Sequence, residues 1–260
     1  MQSLKNEDIE DIYALSPLQK GVLVESLVES QADVYVLQNE VTFEEVVTGE
    51  EVRRVWEPLL ERHSILRTEF LWEGLSEPYQ IVRDKVELPV EFHNWRDCDR
   101  GAVEERYRVL LDRRRQEGLD LQSAPLLRVD VVALPGDRTR TLFTIHHLIS
   151  DGWSASILAR EFLDHLETVR QGRDPEVEPA PPFREYVEWV EGRDEQRARQ
   201  FWREELEGLE ALRLPDGRVE SDDERRDFDA IEGRLADELA GQIDALANRA
   251  KVSGNVVYQA

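Results

Sequence analysis

Apolar residues follow two different rhythms along this chain, and the switch between them locates its elements. The run Arg140–Ile145 is rich in β-branched and apolar side chains, the mark of a buried strand. Beyond Gly152 the apolar positions Leu158, Phe162, Leu166 and Val169 recur at steps of four, four and three, which is the period of a helix. A hairpin is predicted to join residues 126–134 to residues 139–147 through Pro135-Gly136-Asp137. Further strands are predicted over 35–43, 65–72 and 79–82.

Helix starts carry their own signals. Ser16-Pro17-Leu18-Gln19 places Ser at an N-cap, Pro at the first helical position and Gln where it reaches back to the cap. Thr48-Gly49-Glu50-Glu51 repeats that logic before a helix bearing Val52, Val55, Trp56, Leu59 and Leu60, which Pro58 is expected to kink or split. A third helix has Val103, Tyr107, Leu110 and Leu111 on its apolar side and Arg113-Arg114-Arg115 on its solvated face. Later come a helix over 196–206, a polar loop over 215–227, a short strand over 228–235 and a helix with Leu239, Ile243 and Leu246 on one face. The chain closes on another apolar element, from Val256 to Ala260. Helices interleaved with strands and hairpins give an α/β (α+β layered) domain, a mixed sheet flanked by helices.

Composition narrows the functional classes. A net charge of −23 with no basic stripe opposes nucleic-acid binding. No run of about 18 apolar residues exists, and acids occupy the N-terminus where a secretory signal would be basic and then apolar, so no membrane role is expected. Cys98 is the only cysteine, which excludes an intrachain disulfide and a thiolate zinc cluster. A cytoplasmic location follows as the default. The acidic, proline-rich stretch Asp174 to Pro182 reads as an extended connector.

The candidate chemistry lies at the strand-to-helix switch. His146 and His147 end the strand, and Asp151-Gly152 opens the helix, a place where a base is held rigidly yet faces a cleft. The competing structural interpretation is a core histidine followed by a helix cap. A second His, the Gly and the strand–turn–helix context weigh toward function. On a strand His146 and His147 point to opposite faces, so they cannot share one ion. His63, His93 and His165 show no ligand spacing either, and His93 and His165 look like surface residues. No metal is expected. There is also no phosphate-binding glycine loop.

His146 to Gly152 matches the HHxxxDG signature of the condensation domains of nonribosomal peptide synthetases. Three further stretches resemble that family: Tyr13 to Gly21, its opening block; Arg62-His63-Ser64-Ile65-Leu66-Arg67-Thr68-Glu69-Phe70, its RHxxLRTxF block; and Phe183 to Trp189, the block after the active-site helix. The resemblance implies a two-lobe fold like chloramphenicol acetyltransferase, with the site in a channel between lobes. Residues 1–173 would form the first lobe, 174–182 the connector and 183–260 the start of an incomplete second lobe, leaving the chain inactive by itself.

The resemblance also implies amide formation between two groups carried on phosphopantetheine arms. These arrive on upstream donor and downstream acceptor peptidyl carrier proteins, beside an adenylation domain, with no cofactor bound by the domain itself. His147 would be the catalytic residue, as a general base or as a positioning group; both remain open. His146, Asp151, Gly152 and Arg67 would be structural. Asp151 is expected to pair with Arg67 to fix the turn, in preference to a triad with His147. Gly152 would let a thioester arm approach the backbone, while Trp153 and Ser154 would be a packing anchor and an N-cap. An epimerisation domain, a coenzyme-A-dependent acyltransferase and a non-catalytic docking fragment are the alternatives. A heterocyclisation domain, with aspartates for both histidines, is excluded.

Overall fold

The computed structural model describes residues 8–28, 35–209 and 233–259. Along the chain run β1 (Ile9–Ala14), α1 (Pro17–Val28), β2 (Val36–Phe43), α2 (Gly49–Arg62), a 3-10 turn at Ser64–Arg67, β3 (Thr68–Leu71), β4 (Tyr79–Arg83) and β5 (Val90–Asn94). There follow α3 (Arg100–Glu117), β6 (Leu127–Leu134), β7 (Arg138–His146), α4 (Gly152–Arg170), α5 (Phe183–Glu191), α6 (Glu195–Glu205), α7 (Asp237–Ala250) and α8 (Gly254–Gln259). A four-stranded sheet has the order β2-β7-β6-β5, antiparallel except for the β5–β6 pair. A three-stranded antiparallel sheet has the order β1-β4-β3. The mixed sheets with flanking helices are the layered α/β class expected from the sequence.

Strand parity decides which helices cover which face. On β6, Leu127, Val129 and Val131 enter the core beneath α2 and α4, while Val132 and Leu134 face α3. β7 repeats the rule, with Ile145 in the first core and Leu142 in the second. Both strands are therefore buried on two sides, which is why they read as nearly unbroken apolar runs. Trp56, Phe143 and Phe162 tie α2, β7 and α4 together with ring centroids 5.3–6.1 Å apart.

Thr48 and Glu51 form the reciprocal capping box predicted for α2. The expected break at Pro58 does not occur, and α2 runs unbroken to Arg62. Pro58 forgoes one backbone bond, and burial of Val52, Val55, Trp56, Leu59 and Leu60 outweighs that loss. Residues 64–67 form a 3-10 turn rather than the start of the predicted strand, which is confined to β3.

Arg114 of the basic run on α3 is a further correction, while Arg113 lies exposed as expected. Arg114 is 4% exposed, and its guanidinium bonds both oxygens of Asp130 at 2.9 and 2.6 Å, Glu117 at 2.8 Å and Glu91. His93, expected at the surface, instead meets Asp130 at 2.7 Å. Burial alone would raise the Asp130 carboxyl, but the hydrogen bonds from His93 and Arg114 overcome it and hold the group below its usual range.

The described residues divide into two compact units after Phe201. In the first, residues 173–182 have no regular structure, and Arg54 anchors them through Asp174 at 2.7 Å. Val187 of α5 packs with Tyr13 and Val82. In the second, α7 bears the predicted Leu239, Ile243 and Leu246, and the terminal apolar stretch is α8. The predicted loop over 215–227 lies outside the described residues, as does the predicted strand over 228–235 except for residues 233–235, which have no regular structure. No helix among the described residues is long and apolar enough to cross a membrane.

Candidate active site

β7 ends at His146, and the chain turns through residues 147–150 before Asp151 caps α4. The backbone N–H of His147 still bonds the Tyr35 carbonyl at 2.8 Å, so the residue is held to the edge of β2 after the regular ladder has ended. Its ring is half-buried, with the Tyr35 ring edge-on at 6.2 Å. Nδ1 lies 2.8 Å from the Ser150 carbonyl oxygen. A carbonyl can only accept, so Nδ1 carries the hydrogen, and in the neutral ring Nε2 is the one with the lone pair.

His146 has the opposite character. It is 4% exposed, and its Nδ1 accepts from the Leu148 N–H at 3.1 Å. Burial, reinforced by the neighbouring His147, pushes its pKa down to about 4. It is neutral at pH 7 and turned into the protein. The two histidines are thus divided between an inward ring that supports the turn and an outer ring with a free acceptor.

Asp151 and Arg67 do not pair, contrary to expectation. The Asp151 carboxylate accepts from the Ser154 backbone N–H at 2.8 Å and from its hydroxyl at 2.7 Å. Those Ser154 bonds hold its carboxyl below the usual carboxylate range. Arg67 is buried elsewhere, donating to the Leu60 carbonyl at 2.7 Å, Glu10 at 2.6 Å, the Asp84 carbonyl at 3.2 Å and the Arg83 carbonyl. Neither has the other among its partners. The N-cap is Asp151 and not Ser154, and Trp153 is 83% exposed, so it is no packing anchor.

Gly152 is the first residue of α4, and a Cβ there would meet nothing within 4 Å. Its backbone lies open, beside a cavity of about 450 Å³ walled by Val41, Trp56, Phe143, Ile145 and Phe162. His63 Nε2 sits 2.6 Å from Glu161 and joins the end of α2 to α4. His165 is half-buried rather than on the surface, its Nδ1 3.4 Å from the Val55 carbonyl. Sequence reasoning missed Ser150 and Tyr35, which act through backbone carbonyls that no side-chain motif records. Among the described residues, Glu91, His93 and Asp130 are the group spaced for a metal ion. Arg114 already engages both of those carboxylates, so the cluster is a poor cation site.

The condensation-domain family model matches residues 9–260. A polypeptide of the linear gramicidin synthase of Brevibacillus parabrevis is 32% identical over 255 residues, which is 98% of this chain and 5% of that protein. The first condensation domain of the calcium-dependent antibiotic synthetase, solved with a substrate analogue, superposes with a TM-score of 0.67 at 16% identity, over 76% of this chain and 49% of that one. The epimerization domain from the third module of tyrocidine synthetase B gives 0.67 at 21% identity, over 78% and 47%. The chain spans about half the length of these solved domains. With the HHxxxDG turn set between β7 and α4, this chain belongs to the condensation-domain family.

Proposed function

We propose that this chain supplies the histidine half-site of an amide-forming condensation reaction in a nonribosomal peptide synthetase. An aminoacyl or peptidyl thioester on an upstream peptidyl carrier protein is the donor, and an aminoacyl thioester on a downstream carrier is the acceptor. The phosphopantetheine arms arrive on the carriers, and the domain itself binds no cofactor. Activation of the amino acids falls to an adjacent adenylation domain, in the cytoplasm.

The observation that carries this reading is the Nδ1–H bond of His147 to the Ser150 carbonyl, which leaves Nε2 as the ring's acceptor. The acceptor amine attacks the thioester carbonyl carbon, forming the C–N bond. As the tetrahedral species collapses, the C–S bond breaks and the thiolate leaves. The amine hydrogen passes to Nε2 of His147, which can return it to the departing sulfur. The Nδ1 bond of His146 to the Leu148 N–H and its burial support the assignment of this role to His147 and not to His146. The exposed Gly152 backbone leaves room for a thioester arm to approach the start of α4. Asp151-Gly152 favours condensation over epimerisation, because epimerisation domains usually lack that Gly.

The test is His147→Ala in the full-length synthetase, with dipeptide formation followed between two loaded carriers. We expect a loss of about 100-fold or more. Activity within about threefold of wild type, less than ~1 kcal/mol of barrier, would remove His147 from the chemistry.

A further inference from the structure

Two buried side-chain amides lie against the histidine turn and have no role in the steps above. Gln19, on the first turn of α1, is 5% exposed, and Gln80, on the central strand β4, is fully buried. They bond each other reciprocally: Gln19 Nε2 donates to Gln80 Oε1 at 3.3 Å, and Gln80 Nε2 donates to Gln19 Oε1 at 3.1 Å. The remaining hydrogen of Gln80 goes to the Ala14 carbonyl at 3.0 Å, and that of Gln19 to the Leu148 carbonyl at 3.1 Å. Gln19 Oε1 also accepts from the Ser16 N–H at 3.0 Å, closing the α1 cap. Every amide hydrogen has an acceptor. Neither amide can flip, since a flip would set oxygen against a carbonyl oxygen.

Leu148 immediately follows His147, and no strand ladder holds it. Its N–H is taken by His146 Nδ1 and its carbonyl by Gln19, while the Ile149 N–H of that same peptide bonds the His146 carbonyl at 3.1 Å, so Gln19 fixes the carbonyl side of a peptide whose N–H side a backbone turn holds. The bond from His147 Nδ1 to the Ser150 carbonyl spans this same stretch. Rotation of the peptide after Leu148 would carry the Ser150 carbonyl away from the ring. Nδ1 would lose its partner, the tautomer would no longer be selected, and Nε2 would lose its fixed direction.

We propose that Gln19, locked in place by Gln80, is a positioning residue for His147: it clamps the Leu148 carbonyl and thereby holds the turn that selects the tautomer and aim of the catalytic ring. The proposal rests on the amide-forming role of His147. It differs from a purely structural tie between α1 and β4, which would affect folding without affecting turnover per folded molecule.

Gln19→Leu, Gln80→Leu and the double variant separate the two, in the full-length synthetase. Each single variant strands half of a buried amide pair, whereas the double variant removes both and leaves no side-chain amide unpaired. The double variant is expected to recover the part of the Tm that the stranded amides cost, while the Leu148 and Ala14 carbonyls and the Ser16 N–H stay without those partners. Its kcat for dipeptide formation should nevertheless stay about tenfold or more below wild type. The KM for the loaded acceptor carrier should stay within about twofold. Nitrogen NMR of labelled histidine gives a readout independent of turnover: wild-type His147 should be the Nδ1–H tautomer, and the double variant a mixture. Recovery of kcat along with Tm, or an unchanged tautomer signature in the double variant, overturns the proposal. A wild-type synthetase that forms no amide would instead overturn the condensation reading, and the tautomer measurement would still decide the role of Gln19.

Discussion

Replacing Asp151 and Arg67 separately and together distinguishes a helix cap from a buried ion pair. Asp151 lies exposed at the start of α4, and its carboxylate accepts only from Ser154 and its neighbours. Losing such a cap costs about 1 kcal/mol, with ~0.3–1 kcal/mol more for a carboxylate at a helix N-terminus. Asp151→Ala should therefore destabilise by about 1–2 kcal/mol, and Asp151→Asn, which preserves the cap acceptor, by well under ~1 kcal/mol. Arg67 is 6% exposed and holds three carbonyls and Glu10. Arg67→Met leaves the three carbonyls without that donor, while Glu10, whose side chain is 44% exposed, turns to water, so the cost should be roughly 1–3 kcal/mol. Because the two side chains share no partner, the costs should add within about 0.5 kcal/mol. Urea unfolding followed by tryptophan fluorescence measures all four proteins. A coupling energy above ~1 kcal/mol, or an Asp151→Ala cost above ~3 kcal/mol, would show that the carboxylate is paired inside and that the cap assignment is wrong.

The position of the site was legible because it coincides with a change of period. β7 and α4 were both visible from spacing, and the turn between them could hold only His147 to Asp151. What Asp151 does was not legible. Spacing cannot say which of 33 basic residues meets a given acid, and among the described residues none meets Asp151, because Ser154 three positions on satisfies it locally. β1 and β5 were missed for a related reason. Each is an edge strand whose sequence, IEDIYA or VEFHN, mixes acids with apolar residues and has no sustained alternation. Arg114, His93 and Asp130 lie on three different elements, so their convergence depends on the fold and not on any local pattern. Gln19 was visible as a cap because the Ser16 contact is local, but Gln80 and Leu148 lie 61 and 129 residues away.

Two stability predictions follow from the buried polar groups. Arg114→Met should cost roughly 3–5 kcal/mol, because it strands the fully buried Asp130 carboxylate; a loss under ~1 kcal/mol in urea unfolding would mean that Asp130 is solvated or protonated. The second concerns His146, whose folded pKa of about 4 lies below its ordinary 6.5. Between those values the unfolded chain takes up a proton that the folded chain refuses, so stability must fall as pH drops from about 6.5 toward 4. The full shift corresponds to roughly 3 kcal/mol. Carboxylates titrate in the same window, so the quantity to compare is the difference between wild type and His146→Gln, which keeps a polar group but cannot protonate. If burial sets the pKa, the wild type should lose more stability than the variant from about pH 7 to about pH 4.5. Parallel curves would show that His146 is protonated as readily folded as unfolded, and that water reaches beneath the His147 turn.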